Sequence, residues 1–145
     1  MNDELSELIK YAFEGTSNQL KTIELHFLEL DELLFLKELL IDIKKPFKRT
    51  VDNYAIIHTQ NKHGLESREI SRGQIAVSID DYLLIPIIVK SPDTVTFGEK
   101  SSIGTDLIKY EKEMNGICYF YVEEVRMKRK SLAMKTLYKR KASTK

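Results

Sequence analysis

Apolar positions near the start of the chain recur at helical spacing. Leu5, Leu8, Ile9, Ala12 and Phe13 predict an amphipathic helix over Glu4–Phe13, with Asp3 placed to cap it and Gly15 to Asn18 reading as its stop. Ile23, Leu25 and Phe27 then alternate, which predicts a strand over Thr22–Leu28 carrying His26 on its other face. Asp31 opens a second helical pattern through Leu33, Leu34, Leu36, Leu39 and Leu40, ended by Lys44-Lys45-Pro46. A third helix is expected from Val51 to Lys62, with Gly64 just beyond it. The run from Ile79 to Val89 reads as a short buried helix capped by Ser78 or Asp80, provided that Pro86 falls in a first turn or kinks it.

Beyond the turn Ser91-Pro92-Asp93 the period changes to two. Strands are expected at Thr94–Gly98, Asp106–Lys112, Ile117–Val125 and Ser131–Tyr138. Asn115-Gly116 is the strongest local hairpin signal, and Met127-Lys128-Arg129-Lys130 makes a second, mostly basic hairpin tip. Helices first and an antiparallel meander afterwards predict an α+β fold, N-terminal helices on a sheet of about four strands. The expected core includes Leu33, Leu36, Leu40, Ile57, Leu84, Ile85, Ile88, Ile108, Phe120, Val122 and Leu137.

With 145 residues the chain is expected to form one domain: a helical part over 1–50, a core over 51–140 and a basic tail over 141–145. One cysteine, Cys118, excludes an internal disulfide and any multi-cysteine zinc site; it is expected to be a small buried residue in its strand. There is no apolar run of 18 residues, and the start MNDELSEL is acidic, unlike a secretory signal. The expectation is a cytoplasmic protein with no membrane partner.

The net charge of +1 conceals a strong polarity. Residues 1–43 carry ten acids against three bases, net −7, whereas residues 126–145 carry nine bases and no acid. Such asymmetry points to a polyanion at the basic end.

Among residues able to do chemistry, His58, Lys62 and His63 cluster at the end of the third helix. His58 and Lys62 are four apart and share a helical face, while His63 lies about 140° around from His58 at ~100° per residue. Two imidazoles and an ammonium near one spot can supply a base, an acid and a charge clamp. His63 is expected to be an exposed helix-end side chain whose removal leaves folding intact. On the last strand, simple alternation puts Leu132, Met134, Thr136 and Tyr138 on one face and Ala133, Lys135, Leu137 and Lys139 on the other. Lys109 and Lys112 lie on opposite faces of the neighbouring strand, so only one can face a cleft; Lys112 is assigned to the substrate. Asp80 and Asp81 read as helix N-terminal acids.

The string from Tyr54 to Gly64, with its His58, Lys62 and His63, is followed by Asp80–Asp93 with Ile85-Pro86 and Ser91-Pro92-Asp93. Lys135-Thr136-Leu137-Tyr138 closes the series. These landmarks, in this order, resemble the phage and mobile-element branch of the barnase–EndoU–colicin–RelE-like nucleases. The resemblance covers Tyr54 to Tyr138 and implies a metal-independent ribonuclease, often deployed as a toxin or effector, that needs no cofactor. It implies that the 2′-hydroxyl attacks phosphorus and leaves a 2′,3′-cyclic phosphate. By the same resemblance His58 and His63 form the acid–base pair, in either order, and Lys62 stabilises charge. Thr136 and Tyr138 hold the scissile phosphate, and Lys128, Arg129 and Lys130 track the backbone of an RNA substrate, tRNA among the candidates. A toxic nuclease would also need an acidic antitoxin or immunity protein as partner. Two other classes fit the residues: a non-catalytic nucleic-acid-binding module, and a structural component acting through its acidic half.

Overall fold

A computed structural model of the chain describes residues 3–14, 19–38 and 47–142. Its elements run α1 (Asp3–Glu14), β1 (Thr22–Phe27), α2 (Leu30–Glu38), β2 (Lys48–Asp52), α3 (Asn53–His63), α4 (Glu66–Ser71), a 3-10 turn (Ile79–Leu84), α5 (Ile85–Lys90), β3 (Thr94–Lys100), β4 (Asp106–Met114), β5 (Ile117–Arg126) and β6 (Ser131–Lys141). The fold is α+β. The sheet, however, has six strands in the order β1-β2-β6-β5-β4-β3, and an isolated bridge between Ile75 and Lys139 adds a seventh segment of one residue. The four-strand expectation covers only the β3–β6 meander. All neighbours are antiparallel except β2 and β6, which run parallel through Lys48–Thr50 and Ser131–Ala133.

β2 is the strand that the hydrophobic pattern hides. It spells Lys-Arg-Thr-Val-Asp, and Arg49 inside it is 1% exposed because Glu123, on β5, receives its guanidinium. The third helix therefore starts at Asn53 and not at Val51, with the Asp52 carboxylate accepting from the Ala55 amide at 2.8 Å as its cap. The polar stretch from Leu65 to Gly73 contains α4.

The Ile79–Val89 run divides at its proline. The 3-10 turn hands over to α5 with Pro86 in the first turn of α5, where a missing N–H costs little. Ser78 caps the turn in a reciprocal pair with Asp81, whose carboxylate also meets Lys139 at 2.7 Å. At the β4–β5 hairpin Asn115 and Gly116 have φ of 53° and 80°, the left-handed backbone that an Asn-Gly turn supplies cheaply.

Leu36, Ile85, Ile88, Ile108, Phe120 and Leu137 are buried, and Leu33, Ile57 and Leu84 pack against the core from its edge. Val122 is a correction: it is half-buried on the opposite side of the sheet, in the cleft described below. Cys118 is likewise half-buried. The expected stop at 15–18, Leu39, Leu40, the helix end at 44–46 and the tail residues 143–145 lie outside the described residues. Lys141 closes β6 and so belongs to the sheet.

β6 positions the site. Its first three residues pair with β2 and Lys139 bridges to Ile75; α3 packs along the strand. Within β6 the register to β5 slips: Thr136 pairs with Val122 but Met134 pairs with Glu123, leaving Lys135 as the extra residue of a β-bulge. Strict alternation fails there. Leu132, Met134 and Leu137 enter the core, while Lys135 and Thr136 both border the cleft on the other face.

Candidate active site

The buried face of α3 reads Asn53, Ile56, Thr59 and His63, a helical repeat that fixes the rotation of the helix against the sheet. Asn53 anchors its start, accepting from the Lys21 amide at 2.8 Å and donating to the Gln19 carbonyl at 3.1 Å. At the other end Gly64 ends the helix where any side chain would collide with Gln60, its Cβ falling 2.1 Å from the Gln60 amide nitrogen. Gln60 is itself held there by Tyr82 and the Val77 carbonyl. The rotation leaves His58 and Lys62 exposed off the packed face, and puts His63 on it.

All three residues line one cleft of about 580 Å³. Its floor is Leu107, Lys109 and Val122 from β4 and β5, and its far wall is Thr96, Phe97 and Glu99 from β3. β6 contributes Lys135, Thr136 and Tyr138, and Gln74 completes the lining next to α4. Thr136 is reached by the fully buried Thr59 hydroxyl at 3.5 Å. Tyr138 is stacked between His63, at 5.4 Å between ring centroids, and Phe120, at 4.8 Å. Burial first, and then Glu111, push the Tyr138 phenol up, so it stands in the cleft as an un-ionised hydroxyl.

The two histidines have unlike surroundings. His58 borders this cleft and a second one that continues past Lys135 to Arg126 and Arg129. Desolvation first, then the charges of Lys62 and Lys135 and the ring of His63, push its imidazole below the ordinary histidine value. These surroundings favour its neutral form. His63 is 6% exposed, against the expectation of an exposed side chain. Its Nδ1 lies 2.8 Å from Oε1 of Glu69, a carboxylate with no exposure at all, whose other oxygen accepts from Arg72 at 3.1 Å. His63→Ala would therefore leave one oxygen of a buried carboxylate without its partner, so this is not the dispensable helix-end side chain that was expected.

Of the remaining sequence-derived residues, Lys112 sits on the other face of the sheet. Its ammonium donates to the Ser91 carbonyl at 2.6 Å, and the cleft lysine of β4 is Lys109. Lys128, Arg129 and Lys130 are exposed at the β5–β6 hairpin tip, outside the cleft. Arg129 lines the adjoining groove, and Lys128 and Arg129 line the next one along. The three depressions share His58 and Lys135, then Glu124, Arg126 and Arg129, so they form one track along the sheet. Sequence reasoning missed Lys135, Lys109 and Glu69. Lys135 adjoins Thr136 in the motif and was signalled by position; Glu69 carried no signal beyond lying six residues after His63.

A family model described as phage-Barnase-EndoU-ColicinE5/D-RelE like nuclease3 matches residues 30–145. No curated protein and no solved structure matches the chain.

Proposed function

The chain belongs to the phage-Barnase-EndoU-ColicinE5/D-RelE-like nucleases, and on that premise we propose that it is a metal-independent endoribonuclease of toxin or effector type. The observation that carries the reading is the convergence of His58, Lys62 and His63 from one helix with Thr136 and Tyr138 from one strand on a single cleft. RNA supplies its own nucleophile, the 2′-hydroxyl, and so asks of the protein only a base, an acid and positive charge around the phosphorane. The two imidazoles provide the first two. Lys62, Lys109 and Lys135 provide the third, and the Thr136 and Tyr138 hydroxyls orient the phosphate oxygens. DNA lacks the nucleophile that this arrangement uses.

The track past Lys135 to Arg126, Arg129 and Lys128 follows the substrate backbone away from the cut. A cleft of this charge favours an acidic inhibitor that docks across it, the partner that a toxin's own cell requires.

Incubation with total RNA in excess EDTA tests the reading. New ends bearing 2′,3′-cyclic phosphate and 5′-hydroxyl groups are expected. RNA that is bound but left intact would instead identify a non-catalytic binding module, and cleavage that stops with EDTA would remove metal independence.

A further inference from the structure

α4 has six residues and a single buried one, Glu69. A carboxylate with no solvent exposure is costly unless its oxygens are occupied, and here each is spoken for differently. Oε1 faces His63 Nδ1 at 2.8 Å and Oε2 accepts from Arg72 Nη1 at 3.1 Å. The same Arg72 nitrogen donates to the Lys62 carbonyl at 2.9 Å, tying the end of α4 to the last turn of α3. With Tyr138 stacked on its ring, His63 is held from two sides. Among the described residues nothing comparable serves His58, whose electrostatic neighbours are Lys62, Lys135 and His63.

We infer that Glu69 is a positioning residue that fixes Nε2 of His63 as the nitrogen presented to the cleft, making His63 the acid and His58 the base. The inference rests on the ribonuclease reading above. A ring bonded to a carboxylate through Nδ1 keeps that proton, so only Nε2 exchanges protons with substrate. The carboxylate occupies that edge of the ring, and neither of its oxygens is exposed to water. A ring among cations is the opposite case and is suited to accept a proton. In the reaction the O2′–P bond forms as the P–O5′ bond breaks. The 2′ proton passes to the His58 imidazole, and the Nε2 proton of His63 passes to O5′. The products are a 2′,3′-cyclic phosphate and a 5′-hydroxyl, and exchange with solvent restores both rings.

Leaving-group chemistry separates the two roles. The wild type, His58→Gln, His63→Gln and Glu69→Gln would be compared on a mixed-sequence oligoribonucleotide and on 4-nitrophenyl esters of the four nucleoside 3′-phosphates. The nitrophenolate of the esters departs without an acid. On RNA, His63→Gln is expected to lose about 10²–10⁴-fold and Glu69→Gln at least about tenfold. On the esters both should stay within about threefold of wild type, while His58→Gln loses on both probes. Nitrogen-15 spectra of the wild type should show neutral His63 protonated on Nδ1.

A folded Glu69→Gln, judged by its circular dichroism melt, that loses equally on both probes or nothing on RNA overturns the inference. So does a neutral His63 protonated on Nε2, a measurement that stands even if Glu69→Gln does not fold. A wild type inactive on both probes overturns the ribonuclease reading instead, and the spectra then decide the Glu69 contact alone.

Discussion

The two faces of the sheet each carry a polar cluster beside a depression, and the clusters differ in how far their donors are already taken. On the packed face Arg49, Glu123, Glu32, Tyr110 and His26 form a closed set. The Arg49 guanidinium donates to Glu123 at 2.6 and 3.2 Å, to Glu32 at 2.6 Å, to Tyr110 at 3.0 Å and to His26 at 2.9 Å. Burial opposes the charge on Glu32, but its contacts to His26 and Arg49 hold that carboxyl well below the usual carboxylate range. On the other face Lys62 and Lys135 stand exposed around a cavity, and together with partial desolvation they push the His58 imidazole below its ordinary value. Residue type does not distinguish a structural cluster from a chemical one. Saturation does: a guanidinium whose donors are all taken has nothing to offer a ligand, and ammonium groups grouped around a void do.

This contrast is easiest to break at Arg49. Arg49→Met leaves Glu123 buried and uncompensated and is expected to cost about 3–5 kcal/mol in a urea titration. The double variant Arg49→Met/Glu123→Leu should recover much of that, since a buried ion pair replaced by apolar groups is often nearly neutral. A single variant within about 1 kcal/mol of wild type would remove the structural role assigned to the cluster.

On the open face the effect is smaller and falls on the chemistry. Lys135→Gln takes away one of the cations that hold the His58 imidazole down, so His58 should accept its proton at higher pH. The acid limb of the cleavage profile then moves up, toward the ordinary histidine value. Removing one charge beside the phosphorane should also lower the rate at neutral pH by about tenfold, less than the 10²–10³ typical of a fully desolvated donor. An acid limb that stays in place, measured from pH 4 to 8, would detach His58 from the base role.

Smallest of all should be the hairpin. Lys128→Gln/Arg129→Gln is expected to weaken binding of a 2′-deoxy-substituted, uncleavable oligonucleotide only severalfold. The salt dependence should reveal it more clearly: two phosphate contacts on a single strand contribute about 1.4 to the slope of log K against log salt. An unchanged slope would take the backbone-tracking role away from these residues.

How much of this could be read from the chain differs between its parts. α3 was legible at its end, because a glycine stop is a local signal, whereas its Asp52 cap went unread and its start was placed two residues early. Helical spacing brought His58, Lys62 and His63 to one place on the page and in the fold. Asn115-Gly116 was legible as a local signal too. β2 was not, because Arg49 is buried by Glu123, 74 residues further on, and nothing near Arg49 in sequence announces it. The sheet face that carries the cleft was not legible either. Lys109 and Lys112 alternate as expected, but which of them faces the cleft depends on where the helices pack. Glu69 stood among polar residues with no repeat, and its meaning comes from α4 folding back onto the end of α3.

The bulge in β6 has a consequence for how the strand tolerates change. On either side of Lys135 the ladder to β5 is in order, Met134 opposite Glu123 and Thr136 opposite Val122, neighbours facing neighbours. Lys135 is thus supernumerary to the pairing. Deleting that one residue leaves every other partner of β6 where it is and merely straightens the strand, whereas deleting any other residue of β6 gives some of its neighbours new partners. The strand carries its cleft-facing cation as an insertion into a ladder that would be complete without it, so the charge can be lost or regained without re-pairing the sheet.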